Sequence, residues 1–273
     1  MTARWRGGRE PSRLARELSA LSAIAQRDLA KLLRDRPRLA VNLAFPILLI
    51  VGLGGLLQAT VGKVTGLSTI TLAFTGVLAA SLFQSSAAGM ISIVEDREND
   101  FSRELFIAPV ARLTLLAGKI TGESTVAITQ GVCIVAFAVA FGVRMSGPQA
   151  LGLAATGLVS CLLGAAFGLA TISALPNQRS AMQIFQFLII PQYVLGGVLV
   201  PLAGAPPLLS ALAWLMPMRY AVDLTRAVFY AGSAGYARVV TSGPAADLAV
   251  IAVLTLLLLS AGSFLFSYRE RVR

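Results

Sequence analysis

Six apolar runs, at approximately 39–59, 70–93, 120–143, 150–175, 179–200 and 246–267, constrain this chain more than any other feature. Each approaches or exceeds the roughly 20 residues that a helix needs to cross a hydrocarbon core about 30 Å thick. Within lipid no water bonds the backbone, so single spanning segments satisfy their amide and carbonyl groups as helices. The sequence therefore predicts an all-α integral membrane protein with six transmembrane helices. Loop residues fall between the runs: Gly62 and Gly66, Gly147-Pro148, Pro176-Asn177, and the Pro-rich segment from Pro201 to Pro207. The runs use up most of the chain, and no separate soluble domain fits between them. No repeat of 20 to 50 residues and no low-complexity tract is visible.

Charge placement orients the spans. Ten of the 23 Lys and Arg residues precede position 39. Six spans put both ends on one side, and with the ends inside, 18 of the 23 basic residues are cytoplasmic. Lys63, Arg144, Arg219, Arg226 and Arg238 lie outside. The positive-inside rule thus predicts cytoplasmic N and C termini. The net charge of +10 is explained by a membrane surface rather than by nucleic acid. The basic segment lacks the short apolar core and small-residue cleavage site of a secretory signal, so the first span is expected to be retained.

The chain divides into a cytoplasmic arm, 1–38, and a transmembrane domain, 39–273. In the arm, Leu14, Leu18, Leu21, Ala25, Leu29 and Leu32 recur at helical spacing, with Arg13, Arg16, Arg27, Lys31 and Arg34 on other positions. This predicts a basic amphipathic helix lying at the headgroup level, ended by Pro37 before the first span. The alternative is a helix that packs on a soluble partner.

Residue types exclude much chemistry. With no histidine in the chain, Ser-His-Asp and Cys-His nucleophiles and His-ligated zinc or haem are ruled out. Cys133 and Cys161 stand alone in apolar runs and read as packing residues rather than as metal ligands or a disulfide. The loop after the second span, Glu95 through Pro109, holds five of the 13 acidic residues. Phe101, Leu105 and Ala108 form a small apolar ridge at helical spacing, flanked by Glu98, Arg103 and Glu104 and stopped at Pro109. A charged helix with an exposed aromatic ridge is a docking knob; a solvated loop whose Phe dips into the interface is the alternative.

The run from Glu95 through Arg103-Glu104-Leu105, Ala108-Pro109-Val110, Arg112 and Leu116-Ala117-Gly118-Lys119 resembles the corresponding loop of the ATP-binding-cassette type-2 export permeases. These include the membrane subunits of daunorubicin-type drug exporters. Pro201, Pro206-Pro207, Trp214, Met216-Pro217, Tyr220, Asp223 and Arg226 are similar to that family's external segment, which ends in a Pro-x-x-Tyr-x-x-x-x-x-Arg pattern. The resemblance implies a permease that pairs with itself or a sibling and binds two ATP-hydrolysing subunits in the cytoplasm. It implies a coupling helix at about 96–109, with Phe101 and Leu105 in a groove on the ATPase and Glu98, Arg103 and Glu104 around the rim. It also implies a re-entrant hairpin at about 201–226 that closes the outer mouth of the path. The apolar stretch Leu208 to Met218 is too short to span and fits such a hairpin. Trp214, Pro217, Tyr220, Asp223 and Arg226 are the candidate external gate, with Asp223 and Arg226 spaced to pair.

No phosphate-binding loop is present. At Gly118-Lys119, which a hydroxyl residue follows closely, Leu113 occupies the place of the first glycine and Ile120 that of the Ser or Thr. On the family reading, this chain binds no cofactor and performs no covalent chemistry, and ATP and Mg belong to the partner. The absence is equally compatible with a protein that uses no ATP.

Polar residues inside spans point to a path. Gln183, Gln186 and Tyr193 lie roughly along one side of the fifth run, with Gln192 adjacent, and Gln84 lies in the second. Phe45, Phe185 and Phe187 are placed to face the same tunnel. These amides suit a hydrophobic or amphiphilic substrate, such as a drug, metabolite or lipid, and they serve equally as interhelical glue. Polysaccharide export calls for more aromatic lining than a chain with 7% aromatic residues offers. Glu123, four residues after Lys119, reads as half of a local ion pair rather than a proton relay. Gly164-x-x-x-Gly168 and Gly52-x-Gly54-Gly55 mark close helix contacts, within one protomer or across a dimer.

Two other classes remain open. An ion-driven transporter needs buried midplane acids, for which Glu123 is the only candidate. A membrane transferase needs a site such as Glu95, Asp96, Glu98 and Asp100, although Arg97 is interleaved there. The richness in Ala, Arg and Gly points to a GC-rich bacterial genome, and so to a multi-pass protein of the bacterial inner membrane.

Overall fold

The computed structural model describes residues 13–57, 68–94, 112–173, 175, 177–199, 201–202 and 206–272. The proposed coupling loop, including Glu98, Phe101, Arg103, Glu104, Leu105 and Pro109, lies outside the described residues, as does the acidic group from Glu95 to Asp100. In chain order the helices are α1 (Arg13–Arg34), α2 (Arg36–Leu57), α3 (Thr69–Gly89), α4 (Arg112–Ala140), α5 (Gly147–Ile172), α6 (Gln178–Leu195), α7 (Pro207–Ala213), α8 (Pro217–Phe229), α9 (Tyr236–Val239) and α10 (Pro244–Val272). The described residues contain no β-strand.

Five helical segments are long and apolar enough to cross a membrane: Leu39–Leu56, Thr69–Val94, Leu116–Ala140, Gly147–Ile172 and Tyr236–Leu265. They coincide with five of the six predicted runs. At the sixth, α6 forms over 18 residues, but four glutamines and Arg179 dilute its apolar content and Pro191 lies within it. By length and composition, α6 is not among the candidate spans.

The third helix is the hub. Most of its residues are buried, and the half-buried Ser81, Gln84, Ser85 and Ala88 fall on one side. It packs against α2, α4, α5, α6 and α8, and Phe74, Val77, Leu78, Phe83 and Ala87 are nearly inaccessible. Gly164 and Gly168 of α5 allow its closest approach: a Cβ at either position would collide with the carbonyl oxygen of Phe83 or Ala87. That glycine pair therefore works within the protomer, a choice the sequence left open. In the first span only Gly54 has a close neighbour, Ile70, whereas Gly52 and Gly55 are exposed. Cys161 packs in the core, but Cys133 is exposed on α4, so the packing role read for both belongs to one.

Two short helical units occupy opposite ends of this bundle. The arm helix, α1, stops at Arg34; Asp35 separates it from α2, whose second residue is Pro37, a position where the missing amide does little harm. It packs along the early turns of α4, with the Ala25 backbone close over Gly122. The arm thus docks on the chain's own third span, a contact that neither the lipid nor the soluble-partner reading contained. At the other end α7 and α8 form a helix-turn-helix, each helix opening on a proline. Leu208 and Leu215 are exposed around α7, whereas 11 of the 13 residues of α8 are buried among α3, α5 and α10.

Candidate functional site

Residues of α2, α3, α4 and α6 line a cavity of about 500 Å³. Asn177 caps α6, its side-chain oxygen accepting from the Ser180 amide at 2.8 Å. That helix then carries Gln186 and Tyr193, seven residues and two turns apart, into the cavity wall. Phe45 comes from α2 and Gln84 from α3, so four of the five path residues expected from the sequence meet in one place. Tyr193 Oη donates to Gln84 Oε1, and the Phe45 ring meets the Tyr193 ring edge-on, with centroids 6.2 Å apart.

Gln183 and Phe187 do not join them. At about 100° per residue, both lie on the far side of Gln186 from Met182, which does line the cavity. Gln183 is exposed, and Phe187 is 76% exposed on the outward face with Ile190 and Val194. Phe185 is buried and lines the wall. Gln192, close to Phe185 around the helix but not lining the cavity, acts as glue: its Oε1 accepts from the Met218 amide at 3.1 Å and ties α6 to the first turn of α8.

At the arm end, three ionised groups are buried together. Lys119 Nζ lies 2.8 Å from Asp28 Oδ2 and 2.8 Å from Glu123 Oε1. The Lys119–Glu123 pair expected from spacing is present, and it includes a third member from 91 residues earlier. Gly89 makes room for Glu123, since a Cβ there would strike its carboxylate, and Ser92 Oγ lies 3.5 Å from Glu123 Oε1.

At the far end, the residues expected at an external gate separate into two groups. Trp214 and Tyr220 meet: Tyr220 Oη donates to the Trp214 carbonyl at 2.7 Å, and the Arg219 guanidinium lies 3.9 Å from the Trp214 ring centroid. Pro217 opens α8. Asp223 and Arg226 face different elements instead of forming the pair their spacing allowed. The Asp223 carboxylate accepts from the amides of Thr241 (2.9 Å) and Ser242 (2.7 Å), and Arg226 Nη2 donates to the Val198 carbonyl at 3.2 Å. Backbone donors held in place before α10 outcompete a side chain one turn away. Burial draws the Arg226 guanidinium down to about 10, opposed by the charge of Asp223, so it stays a cation at neutral pH.

Sequence reasoning missed Gln130. It lies in α4, is 5% exposed and lines the cavity, and its Nε2 has no hydrogen-bond partner. The signal was present, because a glutamine in the middle of the third apolar run meets the criterion that singled out Gln84. Asn42, Ser81 and Ser85 also line the cavity and were likewise passed over.

A sequence profile of the ABC-2 type transporter family matches residues 19–230. The chain is similar to the Escherichia coli K12 protein YbhR, named as a probable multidrug ABC transporter permease, with 26% identity over 141 residues. That match covers 51% of this chain and 38% of the relative, so the chain spans about two fifths of the length of that protein. It is also similar to the ycf38 protein of Cyanophora paradoxa, named as a transport permease, at 24% identity over 202 residues, 72% of this chain and 70% of the relative.

Proposed function

We propose that this chain, which belongs to the ABC-2 type transporter family, is the membrane subunit of an exporter powered by ATP in a separate subunit. The observation that carries this reading is the extent of the family match, from the arm helix through α8, around a cavity framed by three helices of spanning length and by α6. In it, the chain sits in the bacterial inner membrane with both termini in the cytoplasm, and α6 completes a set of six spans. The segment from about 201 to 226 is re-entrant at the outer face, a reading supported by the burial of α8, though not of α7, since such backbone needs cover from protein. A second protomer, identical or a sibling, covers exposed apolar faces of α2 and α6.

Two ATP-binding-cassette subunits hold ATP and Mg. They engage the loop at about 96–109, with Phe101 and Leu105 in the groove and Glu98, Arg103, Glu104 and Pro109 framing it. Nucleotide binding there shifts the spans between two packings and moves a hydrophobic or amphiphilic molecule outward past Phe45, Gln84, Gln186 and Tyr193. The family shown is one of permeases, and the chain supplies no covalent chemistry in this scheme. Affinity purification from native membranes tests it. An ATP-binding subunit is expected to co-purify in stoichiometric amount and to be lost on Phe101→Glu with expression intact. Retention of that subunit by Phe101→Glu would overturn the coupling-helix assignment.

A further inference from the structure

The cavity wall carries no charged side chain among the described residues, and nine of its 16 lining residues are uncharged and polar. Some of these groups are already used: Gln84 accepts from Tyr193, and the Ser92 hydroxyl donates to the Gly89 carbonyl at 2.6 Å. Two are not. Gln130 Nε2 and Ser81 Oγ are buried without a partner, on the facing helices α4 and α3. A buried amide donor left unpaired is destabilising, and it is tolerated where a ligand meets it. From α2 and α6, Phe45, Pro46, Met182 and Phe185 add apolar surface to the wall. The volume falls within the roughly 300–1,000 Å³ usual for sites that enclose a drug-sized molecule.

Charge decides the class of ligand. A cation entering this wall would give up its hydration for dipoles and the rings of Phe45, Phe185 and Tyr193, with no carboxylate among the described lining residues. Among the described residues, the carboxylate of Glu123 lies 3.5 Å from the lining residue Ser92, and it is already bound to Lys119 at 2.8 Å. Resting on the reading of the chain as a permease, we propose that the cavity binds uncharged amphiphiles. The ligand's hydroxyl, ether or carbonyl oxygen accepts from Gln130 Nε2, its apolar body lies against Phe45, Met182 and Phe185, and Gln130 sets the preference for neutral over charged head groups.

The test uses the full chain, purified with its accompanying subunits and placed in nanodiscs, and three photoreactive probes. All share one dodecyl tail, and their heads are maltoside, trimethylammonium and sulfate. Labelling of the peptide that holds Met182 and Phe185 is read by mass spectrometry. In the wild type the maltoside probe is expected to label most strongly, and Gln130→Leu to lower its labelling about fivefold, the worth of one net hydrogen bond. Gln130→Glu is expected to make trimethylammonium the strongest probe, a reversal that a damaged fold does not produce. Equal labelling by the three probes, or an order unchanged in both variants, would overturn the inference. The same samples separate it from the permease reading. An ATP-binding subunit that is retained while labelling is unselective removes only the neutral-ligand claim, and absence of that subunit from the wild-type sample removes its premise as well.

Discussion

Buried charge is handled in opposite ways at the two ends of the bundle. At the arm end, Asp28, Lys119 and Glu123 satisfy one another, side chain to side chain, across two helices. At the far end, Asp223 is held by backbone amides, Arg226 by a backbone carbonyl, and Arg219 by the face of Trp214. Charges that bind charges leave a stranded ion when one member is removed. Charges that bind backbone dipoles are fixed by the course of the chain, and their removal leaves neutral groups unpaired, although Asp223 also offsets the buried Arg226 charge and neighbours the buried Asp247. The arm is thus attached by an ion triad that one substitution unbalances, whereas α8 is wired into its surroundings group by group.

The largest effect is expected at the arm. Lys119→Met leaves buried Glu123 without a cation and Asp28 with Arg27 alone, 3.3 Å away, and should cost about 3–5 kcal/mol, read as a lower unfolding midpoint in nanodiscs and as trypsin cleavage at Arg27. The double variant Asp28→Asn with Lys119→Met should recover part of the loss. A Lys119→Met chain as stable as the wild type would mean that packing along α4 alone holds the arm, and the contrast between the ends would disappear. Asp223→Ala should have the next largest effect, about 1–3 kcal/mol, with faster hydrogen exchange at Thr241 and Ser242. Asp223→Asn keeps an acceptor and should restore much of the protection; if it behaves like alanine, the charge matters there more than the hydrogen bonds. The smallest effect belongs to Trp214→Ala, about 0.5–2 kcal/mol, because it removes the ring under Arg219 but leaves the backbone carbonyl that Tyr220 binds. A loss as large as that of Lys119→Met would show that the far end, too, depends on a single contact.

Patterns local in the chain were legible in the sequence, and meetings between distant segments were not. Hydropathy located five spans, and apolar spacing with Pro37 located the arm helix, because periodicity and backbone restriction act over a few residues. Lys119 and Glu123 were paired correctly for the same reason. Asp28 was missed as their third partner because 91 residues separate it from Lys119 and its own neighbours read only as an amphipathic helix. Spacing suggested that Asp223 and Arg226 pair, yet tertiary context supplied each with backbone partners that spacing does not reveal. The side of α6 that faces the cavity was found for Gln186 and Tyr193 but extended too far, to Gln183 and Phe187, since polarity does not distinguish the two sides of that helix. Gly164 and Gly168 signalled a close approach without saying to what; the answer required the position of α3.

The most direct test of the exporter account is nucleotide hydrolysis by material purified on this chain from native membranes and placed in nanodiscs. The account predicts vanadate-sensitive ATP hydrolysis by a co-purifying subunit, and its disappearance together with that subunit on Phe101→Glu. A chain that purifies alone, hydrolyses nothing and drives uptake into vesicles from a proton gradient without ATP would contradict it.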